Sequence, residues 1–177
     1  RITHTNTNGN NTMTMQSHPF DTLTLDNGAR LIFTPCPGTQ TANLTDSIAS
    51  LKQAGTDMLL TPMFDAEMAE NNASDLAKVC AEQNVLWLQL PIADDAAPDS
   101  VFETQWQLNK AAILAVLKQQ GCVAVHCRGG SGRTGLVIGL ILLAYGWPAS
   151  KVIQQVQQIR PKALKHPVQL NYFNSKR

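Results

Sequence analysis

Charge is scarce in this sequence and nearly balanced. Charged residues fill 15% of the 177 positions, 14 basic against 13 acidic, for a net charge of +1. No global field arises that would draw in nucleic acid or an anionic membrane surface, so any anion site must be local. Long apolar runs are lacking too. The longest, Leu136 to Ala144, falls far short of the ~20 residues that cross a bilayer and reads as a core helix. Cysteine is sparse: Cys36, Cys80, Cys122 and Cys127 follow no zinc-ligand spacing, and a disulfide framework does not suit a chain this long. No secretory signal precedes them, so a reducing, cytoplasmic setting is expected. Internal repeats, low-complexity linkers and signs of a second domain are all missing.

What is present is a globular balance, 44% apolar, in a chain long enough for one core. Residues 1–16 depart from it. They are mostly Thr, Asn, Met and Gly with no apolar period, too little to offset the entropy of ordering them. They are expected to be a disordered tail, either an expression remnant or an upstream extension, since Met13 and Met15 suit natural starts. The single domain is then 17–177. Within it, Leu23 to Phe33 sets an Asn27-Gly28 turn between alternating apolar runs, a hairpin signal in which the turn has two residues. Helix-then-strand units follow: a helix over 44–54 stopped by Gly55 with a strand over 57–61, a helix near 73–83 with a strand over 85–90, and a helix over 99–119 with a strand over 122–125. Helices over 133–145, 148–159 and 167–174 complete the chain, with Gly146 and Pro161 as breaks. This alternation predicts an α/β domain with a central, mostly parallel sheet flanked by helices on both faces.

The chemistry concentrates where an apolar strand meets a helix, at Val123-Ala-Val-His126-Cys127-Arg128-Gly129-Gly130-Ser131-Gly132-Arg133-Thr134-Gly135. Three glycines allow successive backbone N–H groups, from Arg128 to Arg133, to turn toward one point. The helix start adds a positive dipole end, so the loop suits a dianion such as phosphate. The same groups favour a thiolate over a thiol, which makes Cys127 a candidate nucleophile rather than an inert core cysteine. Arg133 has a planar fork for two phosphate oxygens. Thr134 can place a hydroxyl near the sulfur and help it leave. His126 either tunes the thiolate through a hydrogen bond or fills the strand end.

Phosphoryl transfer to sulfur needs a proton for the departing oxygen, normally from a carboxylic acid over the site. The segment Pro91-Ile-Ala-Asp94-Asp95-Ala-Ala-Pro98-Asp99 follows a strand expected in the same sheet. Asp94 is the first candidate acid and Asp95 the second. Asp99 sits where a helix N-cap is expected. No metal and no organic cofactor are needed for this chemistry.

The His-Cys-x5-Arg-Thr run of His126 to Thr134 resembles the signature of the protein tyrosine phosphatase superfamily. The chain is similar to its dual-specificity branch, in particular to the kinase-associated phosphatases of the cyclin-dependent kinase inhibitor 3 type. The likeness is carried by Pro91-Ile92-Ala93-Asp94 with Pro98-Asp99, by the Cys-x-Gly-Gly-x-Gly-Arg loop, by Pro37-Gly38, and by Arg160-Pro161 and Gln169. It implies the cysteine phosphatase fold, Asp94 as general acid, a phosphoprotein substrate and, through the kinase-associated type, a protein kinase as partner. Asp95-Ala96-Ala97 departs from the Gly-Gly-Thr-like stretch of that type, and the spacing from Asp94 to Cys127 is longer, so Asp95 stays open as the acid. Arg128 either contacts an acidic substrate flank or is a solvated surface arginine. The reading is a cysteine-dependent phosphoprotein phosphatase without nucleic-acid or membrane partners. The alternatives are a phosphatase of a non-protein phosphoester such as a phosphoinositide or RNA 5′-phosphate, a silent phosphopeptide-binding module, and a rhodanese-type sulfurtransferase.

Overall fold

Four parallel strands side by side place all their carboxyl ends along one rim, and the candidate residues lie on that rim. The computed structural model describes residues 2–5 and 12–177. The main sheet holds β3 (Asp21–Thr24), β4 (Arg30–Thr34), β5 (Met58–Thr61), β6 (Leu86–Gln89) and β7 (Cys122–His126), in the order β3-β4-β7-β5-β6. Strand β3 is antiparallel to β4, and every other pairing is parallel. Two further strands, β1 (Ile2–Thr5) and β2 (Thr12–Met15), pair antiparallel with each other in a separate sheet. These two strands fall within the tail expected over 1–16; threonine-rich segments suit strands, and the two satisfy each other's backbone groups. The rest of that expectation, over residues 1 and 6–11, lies outside the described residues.

The helices are α1 (Leu44–Gln53), α2 (Asp65–Glu70), α3 (Leu76–Glu82), α4 (Ser100–Lys118), α5 (Gly132–Tyr145), α6 (Ala149–Ile159) and α7 (Pro167–Ser175). They cover both faces of the sheet. Strand residues alternate between faces, and β7 divides accordingly. Val123 and Val125 join one apolar core with residues of α4 to α7, while Cys122 and Ala124 join the other with residues of α1 to α3. Asp99 caps α4, its carboxylate accepting from the N–H groups of Val101 and Phe102, as expected. No helix among the described residues is long and apolar enough to cross a membrane.

Two elements differ from the sequence reading. The β3–β4 hairpin turns through three residues, not two. Leu25 N–H donates to Ala29 O and Gly28 N–H to Leu25 O, with Gly28 at φ +90°, so glycine serves as the left-handed residue that closes a three-residue loop. Helix α2 was not anticipated. It has six residues and follows an N-cap position, Phe64, with no side-chain cap.

Candidate active site

Strand β7 ends at His126, the chain turns through 127–131, and α5 begins at Gly132. Ser131, at the N-cap position of α5, makes no side-chain cap. The first N–H groups of this helix are therefore left without a capping side chain, and such an end receives anions. The Cys127 thiol group lies at the base of the loop, 4% exposed. Two donors reach its Sγ: the Gly130 N–H at 3.3 Å and the Thr134 hydroxyl at 3.2 Å. Gly130 has φ +83°, and a Cβ there would lie 2.7 Å from the Thr34 carbonyl. Only glycine brings this N–H to the sulfur against that backbone wall.

The loop is held from outside as well. Cys36 N–H donates to Arg128 O at 3.0 Å. Arg160, just past α6, donates through Nε to Gly130 O at 2.9 Å, and through its two terminal nitrogens to Phe33 O at 3.3 Å and to the Asp21 carboxylate at 2.5 Å. Gln169 of α7 is buried beside Gly132. The remaining cysteines are unpaired. Burial pushes the Cys80 thiol up to about 12, and burial together with the nearby Cys127 does the same for Cys36; burial also raises Cys122.

His126 is fully buried, and its hydrogen bonds fix its proton. Nδ1 lies 3.1 Å from the Cys127 carbonyl oxygen, which can only accept, so Nδ1 carries the hydrogen. Burial holds the imidazole far below its usual range, to about 4, which leaves Nε2 as an acceptor. The Thr61 hydroxyl, 2.7 Å away, therefore donates to Nε2 and accepts from Trp87 Nε1 at 2.8 Å. A directional chain thus runs from Trp87 on the edge strand β6, through Thr61 at the end of β5, to the carbonyl of Cys127.

Arg133 is 2% exposed, and its fork is engaged by Glu67 of α2. Its two terminal nitrogens meet the two carboxylate oxygens at 2.5 and 2.7 Å, and one nitrogen also donates to Ile92 O at 3.0 Å. Burial works against its charge, yet Glu67, Cys127 and Asp94 together raise its pKa. Asp94 approaches the other nitrogen at 3.5 Å. A cleft of about 390 Å³ opens over the sulfur, lined by Asp94, Asp95, Arg128 to Arg133 without Gly130, and by Lys162, His166 and Gln169. Every sequence-derived candidate thus gathers at one place, with His126 and Thr134 beneath the cleft. Asp94 and Asp95 both face it, but only Asp94 pairs with Arg133; Asp95 has left-handed φ (57°).

A family model described as a Swiss Army Knife protein, DSP-PTPase phosphatase domain, matches residues 36–169. The chain belongs to this family. The matched span of the DSP-PTPase domain runs from Cys36 to Gln169 and so contains the whole cleft. The tyrosine-protein phosphatase CDC14 of Saccharomyces cerevisiae is 42% identical over 55 residues, 30% of this chain and 10% of that protein. Its Candida albicans counterpart is 29% identical over 94 residues, 52% of this chain and 17% of that protein. The domain thus spans a small part of the curated relatives it matches. Among solved structures, kinase associated phosphatase (KAP) with its catalytic-site cysteine replaced by serine has a TM-score of 0.79 at 20% identity, covering 92% of this chain and 95% of that one. PTPMT1 in complex with PI(5)P has a TM-score of 0.63 at 17% identity, covering 84% and 90%. These two likenesses concern the fold.

Sequence reasoning missed Glu67 and the cleft-lining Lys162 and His166 of this domain. One signal did exist for Glu67: an arginine expected at the floor of a buried loop needs an acid partner.

Proposed function

We propose that this chain hydrolyses phosphate monoesters of phosphoproteins through a phospho-cysteine intermediate, within a single domain running from 17 to 177. The observation that carries the reading is the Cys127 sulfur, with donors from Gly130 and Thr134, at the floor of a glycine loop that ends in the clamped Arg133. Backbone N–H groups from Arg128 to Arg133 and the Arg133 guanidinium hold the non-bridging phosphate oxygens. The Cys127 thiolate attacks phosphorus, so that an S–P bond forms as the P–O bond to the substrate breaks. Asp94 delivers its proton to the departing alkoxide or phenoxide. Water then attacks phospho-Cys127, Asp94 takes a proton from it, and the thiolate leaves with the Thr134 hydroxyl donating to sulfur. Its place within 3.5 Å of the Arg133 guanidinium, which is to hold the transferring phosphate, supports Asp94 over Asp95 as the acid.

A phosphorylated kinase as partner belongs to the same proposal and rests on the resemblance to the kinase-associated type. A reducing, cytoplasmic setting is supported by four unpaired cysteines and by the need for a free thiolate. The test is hydrolysis of para-nitrophenyl phosphate and of a phosphothreonine peptide against pH. Cys127→Ser is expected to abolish turnover while retaining phosphopeptide binding. Asp94→Asn is expected to slow the peptide reaction by roughly 10²–10⁴-fold, and the nitrophenyl ester less, since its leaving group needs no proton. Absence of turnover in the folded native chain, or thiosulfate sulfur transfer in its place, defeats the reading.

A further inference from the structure

We propose that the substrate is a phosphopeptide segment with an acidic residue or second phosphate beside the phosphorylated one, and that Arg128 and Lys162 receive that second anion. The inference rests on the phosphatase reading of the same cleft. Two features of the lining carry it. First, five of the eleven residues that line the cleft are charged (Asp94, Asp95, Arg128, Arg133 and Lys162) and none is Val, Leu, Ile, Met, Phe, Tyr or Trp, so a charge flanking the bound phosphate meets charged side chains. Secondly, the charges there are unevenly committed. Arg133 is matched by Glu67 and Asp94. Arg128, on the loop beside the nucleophile, and Lys162, on the turn between α6 and α7, are both exposed. Neither makes a side-chain hydrogen bond or ion pair among the described residues.

The acids in the neighbourhood do not cancel them. Asp94 is directed to Arg133, and Asp95 alone among the lining acids is uncommitted. Glu70 shares a neighbouring groove with Arg128 without forming an ion pair. The transferring phosphate occupies the loop N–H groups and Arg133, which leaves two free cations on two separate elements for whatever flanks it. Arginine offers a fork that fits a carboxylate or phosphate, and lysine a point charge. A lysine or arginine flank would meet the same two cations and be repelled, so the arrangement discriminates in both directions.

The test uses the full chain and phosphothreonine peptides identical except for aspartate, alanine or lysine on both sides of the phosphorylated residue. Exposed ion pairs of this kind are modest, so kcat/KM is expected to favour the aspartate-flanked peptide over the lysine-flanked one by roughly tenfold at low salt, narrowing as salt is added. Lys162→Glu should bring that ratio close to one or invert it, and Arg128→Gln should reduce it about threefold. Both positions are exposed, and circular dichroism checks that each variant folds. Equal kcat/KM for the three peptides overturns the proposal, as does a ratio unchanged in both variants. Faster hydrolysis of phosphatidylinositol phosphate in phosphatidylcholine vesicles than of the aspartate-flanked peptide overturns it as well, in favour of a lipid headgroup. If no peptide and no nitrophenyl phosphate turns over, the catalytic reading is what fails. Calorimetric binding of the same peptides then still decides the flank preference, and equal affinities overturn it.

Discussion

Glu67 has a structural duty that precedes any chemistry: it compensates the buried charge of Arg133 and holds its fork in place. Removing one partner of a fully buried pair costs about 3–5 kcal/mol. Glu67 is 18% exposed, so Glu67→Ala is expected to destabilise the chain by about 2–3 kcal/mol, or roughly 4–12 °C in Tm for a chain of this size. Scanning calorimetry measures this, and a Tm within 1 °C of native would rule it out. His126 links stability to pH. Its folded pKa of about 4 lies below the ordinary 6.5, so its contribution is intact above pH 6.5 and lost as pH falls through about 4. The loss amounts to roughly 3 kcal/mol. Urea midpoints at pH 7.5 and 4.5 should therefore differ in the native chain, and differ less in His126→Gln; His18, also lowered by burial, keeps the slope from vanishing. Thr61 is the middle of the Trp87–Thr61–His126 chain. Thr61→Val strands the buried His126 and the half-buried Trp87 and is expected to lose about 2 kcal/mol, whereas Thr61→Ser should restore most of it in the same urea assay. Of these residues the sequence exposed His126 through its place in the motif. Glu67 stayed hidden because its partner is 66 residues away and no local pattern marks a long-range ion pair among 13 acids.

At the scale of elements, α5 is constrained along its length by what packs on it. A Cβ at Gly135 would meet the Ala163 Cβ at 2.4 Å, in the turn that also carries Lys162. Gly135→Ala is therefore expected to cost about 1–3 kcal/mol through overpacking, read from urea unfolding. In the acid-flank assay it should also disturb preference, because the turn must move. Gly130→Ala is a different lesion: its Cβ collides with the backbone of Thr34 and Pro35 and pushes the position-130 N–H away from the sulfur, so turnover should collapse along with a loss of Tm. The long elements were legible in the sequence, since α4 and α5 present sustained apolar patterns and Asp99 a cap. Helix α2 was not, as a turn and a half without a cap or an apolar stripe leaves no periodic signal. The hairpin was visible but its loop length was not. Asn-Gly suits a two-residue turn, and the register Thr24↔Arg30 won because it points Leu23, Leu25 and Leu31 into the core.

On the scale of the whole molecule, one sheet separates two apolar cores, and the strand between them leads directly into the Cys127 loop. The parallel arrangement was readable because the strands β5, β6 and β7 are each preceded by a helix of adequate length. The ordering of strands was not, because β4 pairs with β7 across most of the sequence. The same long reach shapes Arg160, which ties the Cys127 loop to Phe33 and Asp21. Synthesis proceeds from the amino end, so a ribosome that has delivered Cys127 and Arg133 has yet to deliver the side chain that pins Gly130. A nascent chain holds every reacting group before it holds the brace. Until Arg160 has been made, the Gly130 carbonyl lacks the donor that holds the loop in shape.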